Sequence, residues 1–348
     1  MRVADFDFDL PAELIAQQPS PERASSRLMI VDRANGAITG AHTRDLPDLL
    51  TPGDLVVVND TRVFPARLHG RRTPSGGRVA CLLLRRLDQD RWDALVHPGQ
   101  KLRPGCTMRF ERDGVVLEAE ILERRTFGRR TIGLSRPDGG DVDAAIDAIG
   151  EVPLPPYIKR APDATDRERY QTVYARARGS VAAPTAGLHL SEATIARLDA
   201  RAIERTAITL HVGYGTFQPI RTEEVEGHRI DPEPYEISAQ AARAITAALE
   251  AQRRIVAVGT TTTRTLEAVA AVNGGCVPAG AGCADLFIYP GFRFRVVGAL
   301  LTNFHLPQSS LLMLVCAFGG RDLVLEAYRR AVSDGYRFYS YGDAMLVM

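Results

Sequence analysis

The chain has 348 residues, 45% hydrophobic and 24% charged, with a formal net charge of +1. That is the balance of a soluble globular protein with room for one large domain and a smaller one, and no apolar run reaches the roughly 18 residues of a membrane span. Acidic residues occupy the place of a signal peptide's apolar stretch, and the five cysteines (Cys81, Cys106, Cys276, Cys283 and Cys316) are scattered. The expectation is a cytoplasmic protein with neither a disulfide framework nor a metal site.

In chain order, residues up to about 61 read as helix, strand, helix, strand. A short helix starts over 11–16, and apolar strands are expected at 28–31 and 55–58, the latter running into Asn59-Asp60-Thr61-Arg62. From about 62 to 150 short strands at 79–84, 92–96, 107–110 and 115–121 alternate with turn signals such as Ser75-Gly76-Gly77 and Asp113-Gly114, the pattern of a small barrel or sandwich. Asp141 then caps a helix through Ile149. From about 151 onward helices and strands alternate as in α/β folds. Thr165 or Asp166 caps a helix to about Arg178, Ser191 one to Glu204, and Ser238 one to Arg253. Strands are expected at 207–212 and 255–258, and helices at 265–272 and 309–318. A β-rich zone between two α/β zones suggests an insertion, with 1–61 and 151–348 forming one discontinuous α/β domain around an inserted β domain at 62–150.

Charge is uneven along the chain. Between Arg62 and Arg130 sixteen Lys and Arg face eight Asp and Glu, a surplus of +8 that leaves −7 on the remainder. Such asymmetry hints at a polyanionic partner, although an arginine-rich solvated surface explains it equally well.

Polar clusters fall where strands end, the usual ligand position of open α/β sheets. Four threonines in Gly259-Thr260-Thr261-Thr262-Thr263-Arg264 offer hydroxyls and free N–H groups to an anion, where simple capping would need one. Gly213-Tyr214-Gly215-Thr216 lacks a third glycine and continues to Pro219, so it is no dinucleotide fingerprint; Gly213 and Gly215 suit a close backbone approach to a ligand. Four of the seven histidines, His189, His211, His228 and His305, lie in such loops and are candidates for proton transfer. The small-residue loop 182–189, with Thr185 and His189, suits close approach too. Asn303 can read a base edge or ribose hydroxyl, or form a local Asn turn. The aromatic-polar alternation at 336–343 can stack a base through Arg337 and its tyrosines, or simply be a core strand.

Taken together, segments 5–18, 26–32, 52–67, 170–174, 181–190, 211–219, 258–267, 287–291, 302–313 and 336–346 resemble, in order, the S-adenosylmethionine:tRNA ribosyltransferase-isomerase family. The resemblance implies a mixed α/β, barrel-like main domain interrupted by a small inserted β-barrel. It also implies the reaction. The ribosyl group of S-adenosylmethionine moves to 7-aminomethyl-7-deazaguanine at the tRNA wobble position, giving epoxyqueuosine-tRNA, adenine and methionine. No cofactor or metal is implied, S-adenosylmethionine being a substrate, and a monomer is expected. Two positions depart from the family pattern: Asp231 stands where it has histidine, and Gly298 where it has aspartate.

This chemistry assigns candidate roles. The sulfonium acidifies the C5′ hydrogens, so His211, His228 or His305 could be the base, and Glu233 or Asp343 the acid that protonates departing adenine. Arg264 with Thr260–Thr263 is the expected partner of the methionine carboxylate. Asn59, Asp60 and Arg62 are expected on ribose hydroxyls or the deazaguanine edge, and Arg124, Arg125, Arg129 and Arg130 on tRNA phosphates. Two other readings stay open at this point: a small-molecule enzyme acting on an adenosyl compound, and a catalytically silent tRNA-binding protein.

Overall fold

The computed structural model describes residues 1–217 and 220–348, with Gln218, Pro219 and the side chains of Phe127, Thr216 and Phe217 outside the described part. Its frame is a nine-stranded mixed sheet. The central strand Leu55–Asn59 lies parallel to Glu204–Leu210 on one side and to Ile255–Val258 on the other, with Val56 opposite Val256. Ala299–Asn303 follows in parallel, then Ala344–Val347, Arg27–Val31 and the edge strand Ile38–His42. Beyond Glu204–Leu210 the sheet ends in two antiparallel strands, Glu233–Ile237 and Gly280–Ala284.

Alternation along the inner strands explains why they are apolar throughout. Leu55, Val57, Ile255 and Ala257 point into a core packed by the helices Ala239–Glu250, Thr260–Val272, Ser310–Gly319 and Arg321–Ser333. Val56, Val58, Val256 and Val258 point into a second core on the opposite face, against Leu46, Leu50, Leu198 and Ile203. A strand covered on both faces has no polar side to show.

Between Leu55–Asn59 and the later strands, the chain builds a closed antiparallel barrel of six strands. These are Arg67–Thr73, Arg78–Arg86, Arg91–His97, Thr107–Arg112, Val115–Arg124 and Arg129–Ser135. Its interior holds Leu68, Cys81, Leu83, Trp92, Phe110, Leu117 and Ile132, and the helix Val142–Ile149 adds Ala145, Ile146 and Ile149. The strand Thr107–Arg112 shows the two-residue period, with Met108 and Phe110 buried while Thr107, Arg109 and Glu111 face solvent. Much of the segment's arginine surplus therefore lies on the outside of the barrel.

Several local expectations are corrected. The turn at Ala12–Leu14 is a 3-10 helix, and the helix expected from 165 to about 178 stops at Arg169. The Asp166 carboxylate is drawn inward by the Arg160 guanidinium and the Tyr341 hydroxyl instead of capping. Tyr170 is buried, and Ala177–Ser180 pairs as a strand with Thr61–Val63. The helix after Ser191 ends at Ala200, which frees Glu204 to begin its strand. The four threonines belong to the helix Thr260–Val272 itself, which starts five residues earlier than expected. The 336–343 stretch turns rather than running as a strand, with Tyr339 at φ 73°. No helix among the described residues is long and apolar enough to cross a membrane.

Candidate active site

Two cavities meet at the carboxyl ends of the central strands. The larger encloses about 600 Å³ and is walled by Tyr157, Ala182–Ala186, Val212, Thr260, Thr261, Thr302, Asn303, His305, Leu306, Leu311 and Tyr339, among others. Its size is that of a small-molecule site, and its lining is mostly apolar with a few polar groups. The smaller, about 430 Å³, is charged: it holds Arg129, Arg221, His228, Arg229, Asp231, Glu233 and Arg264. Leu311, on the first turn of the helix Ser310–Gly319, lines both.

Helix geometry divides the threonine run between structure and site. The hydroxyls of Thr262 and Thr263 donate to the carbonyls of Val258 and Gly259, at 2.8 and 3.1 Å, and so serve the helix backbone. Thr260 and Thr261 turn to the larger cavity, and the Thr261 hydroxyl is buried without a hydrogen-bond partner among the described residues. Asn303 is in the same condition. Its Nδ2 donates to the Tyr339 carbonyl at 3.0 Å and lies 3.1 Å from His189 Nε2, while its Oδ1 is buried and unpartnered among the described residues. Buried polar atoms left without partners are uncommon in native proteins, and two on one cavity wall mark where a ligand's polar groups belong. Thr185 joins the same wall. His305 stands there too, with Nε2 2.8 Å from the Thr302 hydroxyl, and burial pulls its pKa down to about 3.

In the charged cavity Arg264 and Glu233 form a buried ion pair, and Glu233 also accepts the Gly213 N–H at 2.8 Å. Burial lowers the guanidinium's pKa to about 10. Arg264 thus lies beyond the wall that Thr260 and Thr261 share, so the expected single carboxylate site is split between two cavities. His228 is half-buried, edge-on to Phe287 at 4.9 Å, with its pKa lowered by desolvation and by Arg229. The barrel contributes Arg129, which pairs with Asp231 and lies 3.7 Å from Asp93. The departure at Asp231 therefore has a local counterpart. Gly215 packs so closely to Asp231 that an added Cβ would lie 3.2 Å from its carboxylate. Thr216 lies in the adjoining turn, and its side chain is outside the described part.

Other expected site residues are elsewhere. Asn59 is buried and already engaged: it donates to the Leu210 carbonyl and accepts the N–H groups of Leu210 and Thr61, stitching two strand ends together. Asp60 is held by Arg176 at 2.9 Å and the Thr209 hydroxyl at 2.6 Å, and Arg62 projects to solvent. His211 lines neither cavity. Its Nδ1 is 2.8 Å from the Thr61 hydroxyl, its ring covers Gly179, and burial lowers its pKa. His189 sits behind Asn303 instead of on the cavity wall. Asp343 accepts the backbone N–H groups of Arg27 and Arg337, which makes it a turn anchor. Arg130 is buried and donates to the carbonyls of Leu102, Arg129 and Gly99, so it belongs to the barrel's interior architecture. Arg124 and Arg125 are exposed, the latter beside Glu123. Gly298 lies at the opposite end of its strand, where a Cβ would press on Arg254 at 2.9 Å, and Arg254 is itself paired with buried Asp54.

Sequence reasoning overlooked Tyr157 and left Tyr339 without a definite role. Their ring centroids lie 3.9 Å apart, tilted by 37°, and both residues line the larger cavity. No local signal pairs two tyrosines 182 positions apart.

Comparison with known proteins agrees with this architecture. A family profile described as "Queuosine biosynthesis protein" matches residues 3–347. The chain is 54% identical to the S-adenosylmethionine:tRNA ribosyltransferase-isomerase of Anaeromyxobacter sp. (strain Fw109-5), covering 100% of this chain and 99% of that protein. It is 49% identical to the protein of the same name from Heliobacterium modesticaldum, covering 100% of both. The crystal structure of S-adenosylmethionine tRNA ribosyltransferase from Thermotoga maritima aligns with a TM-score of 0.56 at 36% identity, over 99% of this chain and 100% of that one. With this coverage and identity, the chain belongs to the S-adenosylmethionine:tRNA ribosyltransferase-isomerase family of queuosine biosynthesis and is an enzyme of that transferase-isomerase class.

Proposed function

We propose that this enzyme transfers and isomerises the ribosyl moiety of S-adenosylmethionine onto 7-aminomethyl-7-deazaguanine at the tRNA wobble position, yielding epoxyqueuosine-tRNA, adenine and methionine. The observation that carries the reading is the junction of two cavities. One is mostly apolar, ligand-sized and carries two polar atoms without partners among the described residues; the other is charged and bordered by the barrel. The adenosyl part suits the first, with Thr260, Thr261 and Asn303 as its polar contacts. The second, with His228, Glu233 and Arg264, suits the reacting centre and the incoming base. S-adenosylmethionine enters as substrate, and the reading calls for no metal or redox group. A monomer suffices because one chain builds both cavities, and a tRNA substrate implies the cytoplasm.

Among the histidines, basicity decides the roles. His305, pulled down to about 3, is too weak a base for a carbon acid near neutral pH, so it serves as a neutral hydrogen-bonding group. His228 is only half-buried and keeps more of its basicity, which suits it to take the C5′ proton made acidic by the sulfonium. The resulting imidazolium can return that proton to departing adenine. Glu233, paired with Arg264, is placed to orient rather than to donate.

Adenine release is the test. It should occur with S-adenosylmethionine plus tRNA carrying the aminomethyl precursor, and stop in a folded His228→Ala variant. Release without tRNA would replace this reading with small-molecule adenosyl cleavage, and no release would leave a tRNA-binding protein.

A further inference from the structure

The geometry around Asn303 points to more than a polar contact. We propose that Asn303 is a specificity-determining residue whose Oδ1 accepts a hydrogen bond from the exocyclic amine of the adenosyl substrate, and that His189 is the positioning residue which holds the amide in that orientation. The proposal rests on the reading that the larger cavity takes S-adenosylmethionine.

The argument starts from which atoms can donate. The Tyr339 carbonyl only accepts, so the group 3.0 Å from it must be the Asn303 amide nitrogen. That nitrogen has two hydrogens. The second lies toward His189 Nε2 at 3.1 Å, which must then present a lone pair, placing the imidazole proton on Nδ1. His189 is fully enclosed, and enclosure keeps it neutral, with its pKa lowered to about 4. With both N–H groups committed, the amide cannot turn without setting its oxygen against the Tyr339 carbonyl. Its Oδ1, buried and without a partner among the described residues, is left as a fixed acceptor on a residue that lines the cavity.

A fixed acceptor selects a donor. The surrounding wall of Tyr157, Ala183, Pro184, Leu306 and Tyr339 is suited to a flat heterocycle rather than to a ribose. On such a heterocycle the amine at C6 of adenine is a donor, whereas an oxygen at that position would face Oδ1 as a second acceptor. A site built to satisfy one hydrogen bond rejects the analogue that leaves it unmade.

Calorimetric titration can test this with S-adenosylmethionine, its 6-oxo (hypoxanthine) analogue and its 2′-deoxy analogue, on variants shown to be folded by their thermal melts. Wild type should bind the parent at least about tenfold more tightly than the 6-oxo analogue. Asn303→Ala should bind the two nearly equally. His189→Leu should lose most of the ratio, while His189→Gln, whose side-chain oxygen can still accept from the amide, should keep it. A purely structural role would weaken all ligands alike and leave the ratio unchanged. An undiminished ratio in Asn303→Ala overturns the proposal while the substrate reading stands. A lost preference against the 2′-deoxy analogue instead would move Asn303 to the ribose and equally overturn it. Failure of wild type to bind the parent at all would sink the substrate reading first.

Discussion

Arginines that look alike in sequence separate sharply by environment. Arg124 and Arg125 are exposed, whereas the Arg130 guanidinium serves three backbone carbonyls inside the barrel. Hydrogen bonds involving a charged group contribute on the order of 1.5–3 kcal/mol, and orphaned buried acceptors add to the loss. Arg130→Ala should therefore lower stability by about 3 kcal/mol in urea unfolding. Joint replacement of Arg124 and Arg125 should leave the unfolding midpoint nearly unchanged and, if they meet tRNA phosphates, flatten the salt dependence of tRNA binding. The same logic changes what Arg264→Ala tests. It strands the buried Glu233 carboxylate, so we expect a loss of about 3–5 kcal/mol in stability before any effect on substrate is read. Joint replacement of Arg264 by Met and Glu233 by Gln should be less destabilised than Arg264→Ala alone. If the double variant unfolds earlier, the pair is not what holds this wall.

At the scale of elements, caps and strand ends position the site. The helix Ser310–Gly319 carries Leu311 between the two cavities, and its N-terminus is fixed by the Ser309 hydroxyl accepting the Leu312 N–H at 3.2 Å. Ser309→Ala should cost about 1 kcal/mol, as should Ser238→Ala at the start of Ala239–Glu250. Only the former should also weaken S-adenosylmethionine binding, because only that helix borders the cavities. Equal effects on binding would show that the cap matters through stability alone. The cap at Ser238 and a helix beginning at Ser309 were legible in the sequence, since a serine before an apolar helical pattern has few other uses. The ends of the helices near 169 and 200 were not, because buried Asp166 and the strand pairing of 177–180 depend on partners far away in the chain.

Across the whole molecule, two enclosed histidines tie stability to pH. His189 and His305 have folded-state pKa values lowered by burial to about 4 and about 3, from an ordinary 6.5. The unfolded chain binds more protons throughout that interval, so stability rises with pH there. Their contribution is complete above about pH 6.5 and is lost as pH falls toward 3–4. Urea midpoints measured from pH 7.5 to 4.5 should fall on the acid side, and His305→Gln should make that slope shallower. An unaltered slope would assign the acid sensitivity to other groups. At this scale we also propose the domain division into 1–61 with 151–348 and the inserted 62–150. It is supported by the closed barrel with its own core and by the pairing of Val56 opposite Val256 in one sheet.

Sequence alone determined what local chemistry can determine. Runs such as 55–58 and 255–258 had to be strands covered on both faces, the short strands and turn signals between 79 and 121 had to form a β-rich unit, and serines at 191, 238 and 309 had to start helices. It also placed Thr260, Thr261, Asn303 and His228 at strand ends, where the cavities lie. Only the tertiary structure decided which polar residues are already satisfied. Asn59, Asp60, Asp343 and Arg130 carry the same functional groups as cavity residues, but each has its hydrogen bonds filled by chain segments distant in sequence. Thr261 and Asn303 do not, among the described residues. A side chain's availability to a ligand depends on what remains unpaired after folding, and that remainder is set by long-range packing, which no local pattern of residues contains.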